Sequence, residues 1–180
     1  MGRTADPQIR RELLERAVDY VFENGLADLS LRPLATALGV SPGLLLYHFG
    51  SKEQLLIDII AAGRIRQQKL VEDVDDLSEV WKILSAPRWM PAVRLFFEVY
   101  ALAIRDPQRF PGFLEAAVDD WLDAIAPTRD RDARADATLQ LALFRGLLLD
   151  LCATGDRKRI TRALERHAKA ARSRPSRARS

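Results

Sequence analysis

Cysteine is almost missing from this 180-residue sequence: Cys152 stands alone, inside the apolar run LFRGLLLDLC. A single cysteine excludes an internal disulfide. With only two histidines, His48 and His167, no Cys/His cluster has the spacing of a metal site. Cys152 itself reads as a small buried hydrophobe rather than a nucleophile. Strictly alternating β-branched runs are also missing, so strand signals are poor. There is no internal repeat and no Gly-rich phosphate loop. No uninterrupted apolar run approaches the ~18 residues that cross a bilayer, and no membrane partner is expected. The opening segment MGRTADPQIRRELLERA is charged and lacks an apolar signal core, so a reduced, cytoplasmic setting is expected. Against these absences stands a hydrophobic content of 48%, which excludes a disordered chain.

The net charge of +3 hides a segregation. Residues 1–71 hold 9 Lys+Arg against 8 Asp+Glu, residues 72–136 hold 8 against 14, and residues 157–180 hold 10 against 1. An acidic middle argues against one continuous basic groove. The extreme tail, RSRPSRARS (172–180), cannot bury surface and is expected to be disordered. It either attracts phosphate weakly or solubilises the end of the chain.

Nearly every segment reads as helix, giving an all-α fold of about nine. Asp6 caps the first, with Pro7 at its first position. Ile9, Leu13, Ala17, Val21 and Phe22 form its apolar stripe, and Gly25 stops it. A short second helix follows Ser30 and ends at Gly39. Ser41 caps a third, PGLLLYHF, with Pro42 first and Gly50 after it. Ser51 and Gln54 form a capping box that opens a long fourth helix through Leu55, Leu56, Ile59, Ile60 and Ile65. Farther on, breaks around Pro87–Pro91, Pro107, Pro111 and Pro127 divide the chain into LSEVWKIL, AVRLFFEVYALAI, GFLEAAVDDWLDAI, a helix from about Asp130 to Cys152 and one from about Asp156 to Ala171.

Residues 30–53, SLRPLATALGVSPGLLLYHFGSKE, carry the function. Two short helices joined at Gly39-Val40 match a helix-turn-helix, which needs a small residue where the chain turns. Leu34, Ala35 and Leu38 can lock against Leu45 and Phe49, which lie four apart on one face. The opposite face of the third helix then shows Pro42, Gly43, Leu46 and Tyr47, on a cylinder that fits a major groove ~12 Å wide.

The longer string AxxLGVSxGxLxxHFxSKExLL resembles the signature of TetR-family repressors. It stands here as Ala35, Leu38-Gly39-Val40-Ser41, Gly43, Leu45, His48-Phe49, Ser51-Lys52-Glu53 and Leu55-Leu56. The close resemblance covers about the first 60 residues. It implies that Arg32 can reach a base edge, that Pro42, Gly43 and Tyr47 face the groove beside the cap Ser41, and that His48 and Lys52 contact phosphate. One position departs from the pattern. Many members carry tyrosine where Leu46 stands, and here tyrosine falls one later, at Tyr47. Leu44 and Leu46 can touch thymine methyl groups instead, or pack into the small domain. The resemblance also implies a repressor released from a palindromic operator in double-stranded DNA by a small effector.

The expected domains are 1–50 for the helix-turn-helix, 51–171 for effector binding and dimerisation, and the tail. Residues 81–125 hold Trp81, Trp89, Phe96, Phe97, Tyr100, Phe110, Phe113 and Trp121, aromatics that serve either as core or, with Trp81, Trp89, Phe97, Tyr100, Phe113 and Trp121 as candidates, as walls of an effector pocket. The family's cavity lies among helices four to seven. No buried acid or base set is recognisable, so the expected effector is apolar or aromatic, and no cofactor is expected. In LQLALFRGLLLDLC, Leu139, Leu143, Leu147 and Leu151 share one stripe, while Leu141, Phe144 and Leu148 lie elsewhere. A helix apolar on two sides serves a core and an interface together, or lies deep in a monomer. Gly146 costs ~1 kcal/mol against Ala mid-helix, which a closely approaching helix would justify. The resemblance implies that the last two helices pair across a two-fold axis as a four-helix bundle, so the expected interface holds Leu139, Leu143, Gly146 and Leu147, with Leu164 from the last helix. An enzyme would need a usable histidine. His48 is committed to the reading helix and His167 to a polar terminal helix, so catalysis is disfavoured. Two other readings stay open: a helical dimer that no longer reads DNA, and a regulator without an effector.

Overall fold

Local capping chemistry sets most of the helix boundaries in the computed structural model, which describes residues 6–26, 30–74, 76–128 and 130–172. The Asp6 carboxylate accepts from the Gln8 amide and opens α1 (Pro7–Asn24). The Ser30 hydroxyl accepts from Arg32 and opens α2 (Leu31–Leu38). Ser41 accepts from Leu44 at 3.1 Å and opens α3 (Pro42–Phe49). Ser51 accepts from Gln54 at 3.0 Å and opens α4 (Lys52–Val71). The Gln54 side chain does not close the expected box with Ser51. It donates forward to Asp58 at 2.9 Å.

After α4 come α5 (Leu77–Leu84), α6 (Met90–Arg105), α7 (Phe113–Ile125), α8 (Arg131–Thr154) and α9 (Arg157–Arg172). The described residues contain no strand, and the fold is all-α. Two proline breaks are 3-10 turns, Pro87–Trp89 and Pro107–Arg109. Pro91 breaks nothing. It sits in the first turn of α6, where no intrahelical N–H is required.

α6 is the hub, packed against α1, α4, α7 and α8. One buried cluster joins Leu13, Val18, Val21, Leu34, Leu45, Phe49, Leu55 and Leu56 to Leu95, Val99 and Phe113. The short helices near the N-terminus are thus welded through α4 to α6 and to the start of α7. A second cluster gathers Trp81, Trp89, Val93, Phe144, Leu151, Ile160 and Leu164 from α5, α6, α8 and α9. There the Trp81 indole donates to the Thr161 hydroxyl at 2.9 Å, and Arg157 donates to Ser85 at 2.6 Å, fastening α9 to α5. α7 follows its periodicity: Phe113, Ala117 and Leu122 are buried, while Glu115, Asp119 and Asp123 are exposed. Ile9, placed on the inner stripe of α1 by spacing, is 43% exposed, because α1 begins beyond the elements it packs on. The tail from 173 lies outside the described residues.

Candidate functional site

The α2–α3 turn is held from both sides. Gly39 adopts the left-handed conformation (φ 69°) that lets α2 end sharply, and Arg16 of α1 donates to the Leu38 carbonyl at 2.8 Å. Leu34, Ala35, Leu38, Leu45 and Phe49 are all buried, which is the locking face expected from their spacing. Arg10 of α1 pairs with Asp58 of α4 and lies over the Phe49 ring at 4.9 Å, so α1, α3 and α4 move as one.

The opposite face of α3 is open. Pro42 and Gly43 are exposed, as are Leu44, Leu46 and Tyr47 (38%, 39% and 50%), and Arg32 is exposed at the start of α2. The Ser41 hydroxyl is engaged by its own helix end. Lys52 is half-buried in the first turn of α4. Next to it, Glu53 pairs with Arg109 at 2.8 Å, tying the turn before α7 to the base of α4.

His48 is not where the family pattern would have it. It is buried, 7% exposed, with the edge of its ring against Tyr47 and its Nδ1 without a hydrogen-bond partner among the described residues. The reason is spacing: position 48 lies three after Leu45 and next to Phe49, so it shares the inner face those two define.

Behind this unit lies a cavity of about 900 Å³, walled by α1, α4, α5, α6, α7 and α8. Phe97, Phe113 and Trp121 line it, whereas Trp81, Trp89 and Tyr100 do not. Trp81 is sealed against α9, and Trp89 packs edge-on against Phe22 at 4.8 Å. Tyr100 stacks between Phe96 and Phe113 behind the wall. Large aromatics fill cores as readily as they line cavities, and composition does not separate the two. Phe22, read as part of the α1 stripe, and Phe96, read only as one of the aromatics of this region, line the cavity too. The wall also carries charged groups: Arg64 and Lys69 of α4, Glu72, Asp123 of α7 and Arg145 of α8. Arg145 was visible as the lone cation inside a largely apolar run. The expectation that the pocket lacks charged groups is corrected accordingly.

α8 buries Ala137, Leu141, Phe144 and Leu151 inward. On its other side Leu139 is 70% exposed, Leu149 is 51% exposed, and Gly146 is exposed. Leu143 and Leu147 are half-buried. Leu164 does not belong with them. It is 1% exposed inside its own chain, because Ile160, Leu164 and Ala168 form the apolar stripe by which the charged α9 attaches. By length and composition α8 could cross a membrane, with mean hydropathy 1.3 over its best 18-residue window and 22% of that window buried. Its length therefore exceeds what the sequence reading of uninterrupted runs allowed, although Arg145 and Asp150 interrupt it. No group of His, Cys, Asp and Glu that could hold a metal occurs among the described residues.

Residues 13–59 match the family described as bacterial regulatory proteins, tetR family. The chain is similar to the HTH-type transcriptional regulator BetI of Rhizobium meliloti, 28% identical over 162 residues, covering 86% of this chain and 71% of that one. It is also similar to the HTH-type transcriptional repressor Rv3405c of Mycobacterium tuberculosis, 27% identical over 140 residues, 78% of this chain and 71% of that one. Among solved structures, the fold resembles that of a transcriptional regulator from Saccharomonospora viridis in complex with choline (TM-score 0.62, 24% identity, 92% of this chain and 95% of that one). It also resembles the multidrug binding protein EbrR complexed with imidazole (TM-score 0.59, 22% identity, 92% and 93%).

Proposed function

Because the chain belongs to the TetR family of bacterial regulatory proteins and is a DNA-binding transcriptional regulator of that type, we propose that it works as a homodimeric repressor. In this reading it leaves a palindromic operator when a small, largely apolar effector enters the cavity. One observation carries the reading: α4 lines the cavity from Ile57 to Val71 and begins, at Lys52, with only two residues between it and the end of α3. A ligand that shifts α4 would shift the reading helix with it. Coupling of this kind is typically ~1–3 kcal/mol, or ~5–150-fold in operator affinity.

Residues 1–50 read the DNA, and residues 51–171 bind the effector and pair the subunits. Arg32 and Tyr47 supply hydrogen bonds to base edges. Pro42, Gly43, Leu44 and Leu46 supply an apolar surface for thymine methyl groups, and Lys52 a phosphate contact. The second subunit covers Leu139, Leu143, Gly146 and Leu147 of α8. That removes the exposed apolar stripe from water and places two equal reading helices about a helical turn of DNA, ~34–36 Å, or a multiple of it apart. The chain is not an enzyme; its relatives are named transcriptional regulators.

Binding isotherms on the promoter beside its own gene and on scrambled DNA, at several salt concentrations, test the assignment. Arg32→Ala is expected to cost ~1–3 kcal/mol on the operator and to relax preference at one guanine per half-site. Lys52→Ala is expected to weaken both DNAs alike and lower the salt slope by about one. Equal loss on both DNAs for Arg32→Ala would make Arg32 a phosphate contact.

A further inference from the structure

The cavity is not electrically neutral. Arg145 enters its wall from α8, half-buried, with its guanidinium over the rings of Phe96 (5.6 Å) and Tyr100 (5.5 Å), and it donates to the carbonyl of Ala117. No carboxylate pairs with it among the described residues. Burial pushes the Arg145 guanidinium below its ordinary value, and the Tyr100 hydroxyl only partly offsets this. A cation held out of water without a counter-charge is costly, and an anion brought to it recovers that cost. Arg64, on the facing α4, spends a terminal nitrogen on Asp120 of α7, while its Nε is buried without an acceptor among the described residues. The same cavity wall holds Phe97, Phe113 and Trp121, with Lys69, Glu72 and Asp123 as its other charged groups.

We infer that the effector is an amphipathic anion, an aryl or alkyl body bearing one carboxylate, whose carboxylate is taken by Arg145 with Arg64 as a second donor. This deepens the effector reading above and rests on it. A planar guanidinium binds a carboxylate through two parallel hydrogen bonds, which gives orientation as well as affinity. A quaternary ammonium is disfavoured at the same place. The lining ring beside Arg145, Phe96, already carries a cation on its face. The same geometry supplies the coupling. The present partners of both arginines, the Ala117 carbonyl and Asp120, lie on α7, so a carboxylate that engages Arg145 and Arg64 competes with the ties of α7 to α8 and α4.

The test uses the full chain, with sodium phenylacetate and sodium octanoate as probes, phenylacetamide and octanamide as neutral counterparts, and choline as the cation. Thermal unfolding, calorimetric titration and operator binding are read in parallel. The carboxylates are expected to bind about 10- to 100-fold more tightly than their amides, the range of one charge-assisted hydrogen-bonded pair, and to weaken operator binding. Arg145→Met is expected to abolish that preference, bringing carboxylate and amide affinities together, and Arg145→Lys to retain it at lower affinity. Circular dichroism and operator binding establish that each variant is folded. Equal affinity for acids and amides, tighter binding of choline, or an undiminished preference in a folded Arg145→Met variant each overturn the anion assignment and leave the cavity as an effector site. If no compound of any class binds while operator binding persists, both the anion assignment and the effector reading fall.

Discussion

The two longest helices, α4 with 20 residues and α8 with 24, each carry a glycine inside an apolar stretch, and the two glycines mean different things. Gly63 in α4 is buried, and a Cβ there would lie 2.9 Å from Phe22 Cζ, so the glycine admits a neighbouring ring. Gly146 in α8 is exposed, and a Cβ there would meet nothing within 4 Å in its own chain. α4 is also bound on several sides, with Asp58 paired to Arg10, Arg66 to Asp19, Arg64 to Asp120 and Glu53 to Arg109. α8 pairs only through its ends, Arg134 with Asp123 and Asp150 with Arg159, among the described residues. In the proposed reading, α4 transmits within one subunit and α8 finishes its packing on the second subunit. A mid-helix glycine by itself announces close approach without saying by whom.

The strongest way to break this contrast is to charge the open face. Leu147→Glu is expected to turn a dimer into a monomer at micromolar concentration by light scattering, and to lower operator affinity about 100-fold through loss of the paired half-site contact. Far-ultraviolet helicity should be retained, because α8 keeps its inner stripe. A wild-type chain that is already monomeric at that concentration would refute the dimer and leave the α8 stripe without a partner.

A smaller effect of opposite signs sharpens it further. In the monomeric Leu147→Glu background, Gly146→Ala is expected to raise stability by up to ~1 kcal/mol, since helix propensity improves and nothing is displaced. Gly63→Ala gains the same propensity but pushes the Phe22 ring against Trp89. Overpacking of this kind costs ~1–3 kcal/mol, so a net loss of about 1 kcal/mol is expected. Urea midpoints at constant slope measure both. In a Phe22→Leu background the Gly63→Ala penalty should disappear. Equal signs for the two alanines would show that α8 and α4 do not differ in the way described.

What the sequence showed was what local chemistry decides. Asp6, Ser30, Ser41 and Ser51 announced the first four helices, because a cap bonds to amides two or three residues away. Leu45 and Phe49 announced the buried face of α3 by spacing alone. His48, read as a phosphate contact from the family pattern, lies by that same spacing on the buried face. Leu164 was misread because its stripe was treated as spare, whereas a helix as charged as α9 has few other means of attachment. The cavity was half visible. Which aromatics wall it depends on which helices face one another, and no local rule sets Phe97 apart from Trp81. Gly63 went unread for the same reason, since its partner Phe22 lies 41 positions away by numbering and meets it only in the fold.

The weakest expected effect concerns the lower end of α4. Burial alone would raise the Glu53 carboxyl. The hydrogen bond and charge of Arg109, with help from its own amide and from Lys52, bring it below its ordinary value instead. A carboxyl depressed in the folded state contributes stability that is fully present above its unfolded value, ~4.3, and is lost as pH falls through the folded value. Arg109 is 42% exposed and Glu53 24%, so solvent screening keeps the pair at ~0.2–1 kcal/mol. Arg109→Ala is therefore expected to lower stability by that small amount at pH 7 and to have no effect once Glu53 is protonated in both states. The same variant unties the turn before α7 from the turn of α4 that holds Lys52, so it should reduce the response of operator binding to a cavity ligand more than it reduces operator binding itself. Urea unfolding at pH 7 and at a pH below the folded value of Glu53, with operator isotherms with and without ligand, separates the two effects. If the stability loss is the same at both pH values, Arg109 acts by packing on Phe110, where it lies 5.5 Å over the ring, rather than through Glu53.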